Sequence, residues 1–239
     1  MYSTDLAYIH DAGFGDFARA VAPEIARTLR SAGIARGRIV EFGCGSGTVA
    51  AHLHWLGYQV HGYDISPAMI RLARRNAPGA RFGVASLVSA RVQACDAIVA
   101  VGEVLTYVSG GRHALERFFA KAHAALRPGG LLVFDFMDSA RRRTYATRTI
   151  SGDDWSIDVR ATFDEQRRIL TRYMTMTRRT ARGRRRRSRE IHRVHIYDRP
   201  TIRRMLARCG FDIVMSRTYG DYRLLPGDVA VIARRPAPL

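Results

Sequence analysis

The chain has 239 residues, 47% of them hydrophobic and 25% charged, with a formal net charge of +18 at pH 7. That length and balance fit one soluble globular domain with room for a small insertion. With no run of 18 apolar residues and no signal-peptide pattern, nothing points to a membrane span or export, and Cys44, Cys95 and Cys209 show no disulfide or metal-ligand spacing. A reduced, cytoplasmic setting without a metal site is the expectation. The charge is uneven: residues 141–217 hold 22 arginines against 8 acids, and Lys121 is the single lysine. Such an excess favours polyanions or acidic substrates without establishing either.

In chain order, residues 1–20 place Tyr8, Phe14 and Phe17 among Gly and Asp, the pattern of an ordered cap. A helix is predicted over Pro23–Ala32, with proline in its first turn and Gly33 as its stop. A short apolar strand then ends in Glu41, followed by glycine at 43, 45 and 47 and a helix from about Thr48. Glycines there allow a sharp bend with positive φ and a close ligand approach to the main chain. The dinucleotide fingerprint would need Gly or Ala at position 48, where Thr48 stands, so a nicotinamide oxidoreductase is disfavoured. A carboxylate at Glu41 would repel a pyrophosphate and suits an ammonium or sulfonium.

The next strand, Tyr58–Asp64, ends in an acid about 20 residues beyond the glycine turn, where β-α-β units bind ribose hydroxyls. Ser66 and Pro67 open a helix to Asn76. Strands follow at Arg81–Ala85 and Cys95–Gly102, the latter a continuous apolar run suited to a sheet buried on both faces. A helix over Gly111–Leu126, a Pro128-Gly129-Gly130 turn and a strand over Leu131–Phe136 complete a doubly wound pattern.

Three motifs in order, Glu41 with Gly43, Gly45 and Gly47, then Asp64-Ile65-Ser66-Pro67, then Leu126-Arg127-Pro128-Gly129-Gly130, make residues 39–136 resemble the class I S-adenosylmethionine (SAM)-dependent methyltransferases. The resemblance implies an α/β fold, a doubly wound, seven-stranded, mostly parallel sheet, with SAM as cofactor. It implies cofactor contacts from Tyr8, Glu41, Gly43, Cys44, Gly45, Asp64, Ile65, Ser86, Leu87 and Gly102. Where many relatives carry an Asp for the adenine amino group this chain has Ser86, a weaker neutral partner that Leu87 backbone would supplement.

Residues 139–198 leave that pattern. Ser156–Phe163, Ile169–Thr177 and Glu190–Tyr197 read as an inserted antiparallel meander with loops near 164–168 and 180–188, similar to the substrate roof of small-molecule methyltransferases. A last helix over Arg199–Cys209 and a closing hairpin, Phe211–Tyr219 with Asp228–Arg234, finish the chain. The expected organisation is a cap and helix over 1–36, a cofactor-binding core over 37–138, the insertion over 139–198, and the closing elements over 199–239.

Methyl transfer needs alignment more than a fixed catalytic set. Candidates for taking a substrate proton are Glu103, Tyr107 and one of His192 and His195, which strand alternation puts on opposite faces. His192 is preferred from similarity to relatives with a Glu-x-His strand start; each candidate also has a plain structural reading. The Arg-rich stretch 178–189 admits nucleic acid as a partner, although a solvated hairpin tip is the simpler account and no aromatic platform lies in the run itself. The expected function is methyl transfer to an oxygen or nitrogen of a small molecule. The alternatives are an RNA or protein methyltransferase using the basic hairpin, and a SAM-binding module without catalysis.

Overall fold

The computed structural model describes residues 2–139, 147–180 and 183–237. The chain opens with helices α1 (Thr4–Gly13) and α2 (Asp16–Ser31), then alternates β1 (Arg38–Phe42), α3 (Thr48–Trp55), β2 (Gln59–Asp64), α4 (Pro67–Asn76), β3 (Arg81–Val84) and β4 (Cys95–Ala100). A short 3-10 helix, Val104–Tyr107, leads to α5 (Gly111–Ala125) and β5 (Leu126–Met137). Next come β6 (Arg148–Ser151), β7 (Trp155–Asp164), β8 (Ile169–Arg179), β9 (Arg185–His195) and α6 (Arg199–Arg208). The chain closes with β10 (Asp212–Ser216), the small pair β11 (Thr218–Tyr219) and β12 (Tyr222–Arg223), and β13 (Asp228–Arg234).

Seven strands make the central sheet in the order β10-β13-β5-β4-β1-β2-β3. β1 to β5 run parallel, and β13 enters antiparallel to β5 and to β10. Alternation sorts the apolar side chains onto two faces. Val40, Ile98, Leu132 and Phe134 pack with Phe118 and Phe119 of α5 and Ile202 and Leu206 of α6. Ile39, Val99, Leu131 and Val133 pack on the other side with Ile25 and Leu29 of α2, Leu53 of α3 and Ile70 of α4. The mostly parallel doubly wound sheet expected from sequence is present.

Local signals explain several boundaries. Ser66 accepts the Met69 amide at 3.2 Å and Pro67 takes the first turn of α4, while Asp198 accepts the Thr201 amide at 2.7 Å to start α6. Pro128-Gly129-Gly130 lies within β5 as a register break, Cys95 pairing with Leu126 and Ala97 with Leu131. Other boundaries differ from expectation. Pro23 does not open α2 but sits inside it, because the helix begins at Asp16. The amide hydrogen it lacks would have met the carbonyl of Arg19, an exposed residue, so the loss is tolerated there.

Between β5 and α6 lies a four-stranded antiparallel sheet, β6-β7-β8-β9, one strand more than the sequence pattern gives. The loop expected over 180–188 is shorter, although Ala181 and Arg182 fall outside the described residues. Arg185, Arg186 and Arg187 are strand residues paired with Arg179, Arg178 and Thr177, so most of the arginine run is ladder rather than hairpin tip. Pairing across a long, regular β8 overrides the weak strand preference of the run. One end of this roof packs Trp155, Ile157, Met174 and Met176 on Leu6 and Ile9 of α1. Asp5 of α1 pairs with Arg186 and accepts from Ser188, both at 2.9 Å. No helix among the described residues is long and apolar enough to cross a membrane.

Candidate active site

Register brings the chemistry to one edge. Glu41 pairs with Gly62 and Val99, so the ends of β1, β2 and β4 finish side by side. There Gly43, Gly45 and Gly47 all have positive φ, 62°, 53° and 87°. Among the described residues nothing lies within 4 Å of where a Cβ on Gly45 would stand, so the main chain is open to a ligand at that point. At Gly43 the Val104 side chain closes against the turn. Cys44 is buried between them, its amide donating to the Tyr63 carbonyl at 3.0 Å, and burial pushes its thiol well above the ordinary range.

The two acids differ in surroundings. The amides of Gly45 and Ser66 donate to Asp64 at 3.1 and 2.8 Å, fixing its carboxylate while leaving acceptor capacity for a hydroxyl. Burial raises its pKa, and those amides oppose the rise. Glu41 is buried outright; its Oε2 has no hydrogen-bond partner among the described residues, and desolvation first, then the charge on Asp64, push its pKa up to about 8. An orphaned buried carboxylate oxygen beside open main chain fits a cationic amino-acid end, and Asp64 fits a ribose. Ile65 follows at the surface, 42% exposed, where an adenine face could cover it. Gly102 has φ 93° and faces the Phe17 ring.

A second cluster faces this crevice from the roof. Arg172, on the inward face of β8, donates to Glu103 Oε2 at 2.8 Å and to the Tyr107 hydroxyl at 2.9 Å. Glu103 holds a left-handed φ of 61°, a conformation that costs a non-glycine residue about 1–3 kcal/mol and must be stabilised by its surroundings. Asp135 does this: it accepts the amides of Gly102 and Glu103, the first at 2.8 Å, and the Tyr219 hydroxyl at 3.1 Å. Complete burial raises the Asp135 pKa to about 7. From β9, His192 Nε2 lies 2.8 Å from Glu190 Oε2, and the Ser3 amide donates to Glu190 Oε1 at 2.7 Å. Burial pushes the Glu190 pKa up, but the His192 and Ser3 bonds outweigh it and the net shift is down. Rings of Tyr2 and Tyr107 stand 5.2 and 5.7 Å from the His192 ring. Burial first, then proximity to Tyr107, raises the Tyr2 phenol.

The three proton-transfer candidates, Glu103, Tyr107 and His192, therefore converge around Arg172, and His195 points away toward Tyr197, 6.4 Å between rings. Three of the expected cofactor contacts, Tyr8, Ser86 and Leu87, have partners within the chain. The Tyr8 hydroxyl donates to Asp154 at 2.9 and 3.1 Å with the Arg178 guanidinium stacked on its ring. Ser86 exchanges hydrogen bonds with Ser89 (3.0 Å each way between amide and hydroxyl), and the Leu87 carbonyl accepts from Lys121. Sequence reading missed Arg172, Glu190, Tyr2 and Asp135. For Arg172 the signal was there: it shares the inward register with apolar Leu170, Met174 and Met176.

The methyltransferase domain model matches residues 14–216, most of the chain. The chain belongs to the methyltransferase domain family. It is 31% identical over 117 residues to a trans-aconitate 2-methyltransferase from Paracidovorax citrulli, a match covering 47% of this chain and 44% of that protein. The chain thus spans less than half the length of this relative. In fold, the domain superposes on an S-adenosylmethionine-dependent methyltransferase from Clostridium acetobutylicum with TM-score 0.83 at 14% identity, covering 97% and 98% of the two chains. It also superposes on a SAM-bound amino pentose methyltransferase of calicheamicin biosynthesis from Micromonospora echinaspora with TM-score 0.78 at 19% identity, covering 95% and 96%. At such identities these likenesses show the shared fold.

Proposed function

We propose that this domain transfers a methyl group from SAM to a nitrogen or oxygen of a small molecule. The observation that carries the reading is the apposition of the Glu41–Gly45–Asp64 crevice and the Arg172 cluster beneath a closed roof. The cofactor, when bound, supplies a methyl on a sulfonium, already an activated leaving group. Asp64 would hold its ribose, Glu41 its amino-acid end through the glycine turn, with Gly43, Cys44 and Gly102 backbone alongside and Ile65 and Leu87 at the adenine.

The chain's own work is positioning and proton handling. Glu190, held ionised by its donors, accepts from His192 Nε2–H, which leaves Nδ1 with the lone pair that can take a proton from the acceptor. Arg172 orients Glu103 and Tyr107 and keeps the half-buried carboxylate compensated. Roof and α1 exclude water. A polymer would need an open approach, whereas Tyr2, α1 and the roof leave a site suited to a compact acceptor. Three free thiols, two of them buried, support a reducing cytoplasmic setting.

Incubation with methyl-labelled SAM and a fractionated cell extract tests the reading. Label is expected in a low-molecular-weight product; label recovered in RNA or protein, or no transfer at all by SAM-loaded protein, would overturn it.

Glu41 adds a pH signature. Its folded pKa of about 8 lies above its ordinary 4.5, so the stability it contributes is fully present below about pH 4.5 and is lost as pH rises toward 8. A cationic ligand reverses the preference by favouring the carboxylate. SAM binding at pH 7 is therefore expected to release a proton, seen as a dependence of calorimetric heat on buffer ionisation enthalpy. Glu41→Gln should abolish that dependence.

A further inference from the structure

Away from the site just described, an open crevice of about 270 Å3 lies between α1 and α4. Arg71 and Arg75 of α4 and Arg178 of β8 line it, Ala68 and Leu72 give it an apolar floor, and no acidic residue among the described ones lines it. Arg71 and Arg75 are exposed and one turn apart, a like-charge pair that disfavours its own helix unless an anion lies between the two guanidiniums. Arg178 is held differently. Its guanidinium carbon lies 3.4 Å from the Tyr8 ring centroid, and Tyr8 is itself fixed by its bonds to Asp154. So stacked, Arg178 keeps a buried Nε that has no hydrogen-bond partner among the described residues. The stack on Tyr8, rather than a hydrogen bond at Nε, therefore sets the plane of the guanidinium.

Three guanidiniums with no carboxylate among the lining residues call for a ligand with more than one negative charge and several oxygens in one group. A monocarboxylate would answer one of the three; a phosphoryl group answers all of them, since planar guanidinium forks match its oxygens. The volume lies near the small end of metabolite sites, about 300–1,000 Å3. The floor suits an uncharged remainder of the same molecule. We propose that this crevice binds the phosphate or diphosphate group of a small metabolite, at a site separate from the cofactor crevice. Tyr8 then serves this site, by setting the plane of Arg178.

The test is calorimetric titration of inorganic phosphate, inorganic pyrophosphate and UDP into the protein saturated with S-adenosylhomocysteine, which keeps the cofactor crevice closed to nucleotides. Saturable one-to-one binding of at least one of the three is expected. Arg71→Ala/Arg75→Ala should weaken it about tenfold or more, with S-adenosylhomocysteine affinity unchanged as proof of folding. Arg185→Ser/Arg187→Ser removes the same charge from the roof and should leave the affinity as it was. UDP binding tighter than pyrophosphate identifies an ester as the ligand; the reverse order identifies the free ion. No saturable binding in the parent protein, or equal weakening by both double variants, would overturn the proposal, the second result meaning general attraction to a +18 protein.

Discussion

Arg172→Met is expected to lower stability by about 3 kcal/mol, because it removes the charged partner 2.8 Å from Glu103 and the donor to the Tyr107 hydroxyl. The side chains of Arg172 and Glu103 are 22% and 19% exposed and 2.8 Å apart, so water replaces little of the lost interaction. For a chain of this size the deficit corresponds to a melting temperature lower by roughly 10 °C. Adding Glu103→Gln should recover most of it. A melting temperature unchanged in the single variant would mean that the pair is solvated and that the cluster is not built around Arg172.

His192→Ala is expected to reduce turnover about a hundredfold or more, the usual contribution of a positioned general base, while leaving SAM affinity within a factor of two or so. His192 is buried and lies between Glu190 and the rings of Tyr2 and Tyr107, so the change also opens a small cavity. Glu190→Gln separates the two effects. It keeps the shape but removes the charge that fixes the imidazole, and should shift the pH–rate profile as well as its height. Loss of SAM binding together with turnover would place His192 in the scaffold rather than at the acceptor.

What could be read from sequence was what is encoded locally. The Glu41 strand end, the glycine turn, Asp64 and the Ser66–Pro67 helix start depend on residues within a few positions of each other, and all four stand where their patterns put them. The central sheet followed, because β4 and β5 are apolar enough to require burial on both faces. The Arg172 cluster was not legible in the same way. Tyr2, Glu103, Arg172 and Glu190 are up to 188 positions apart, and only the β8–β9 register, Arg172 against His192, together with the α1 contact, brings them together. Pro23 misled because proline is commonest in a first helical turn, whereas here Asp16 to Ala22 already form two turns before it. The Tyr8 hydroxyl bonds Asp154, 146 positions away, a partner that no local pattern announces.

Strand β9 is the last of its sheet, so one row of its backbone groups meets no neighbouring strand within that sheet. Arg185, Arg187, Arg189 and Arg193 project from its outer face and are all exposed. Such a margin would ordinarily invite another chain to extend it, the first step of aggregation. Four like charges along eleven residues make that approach repulsive, so the fold can leave this border uncovered and still remain dispersed.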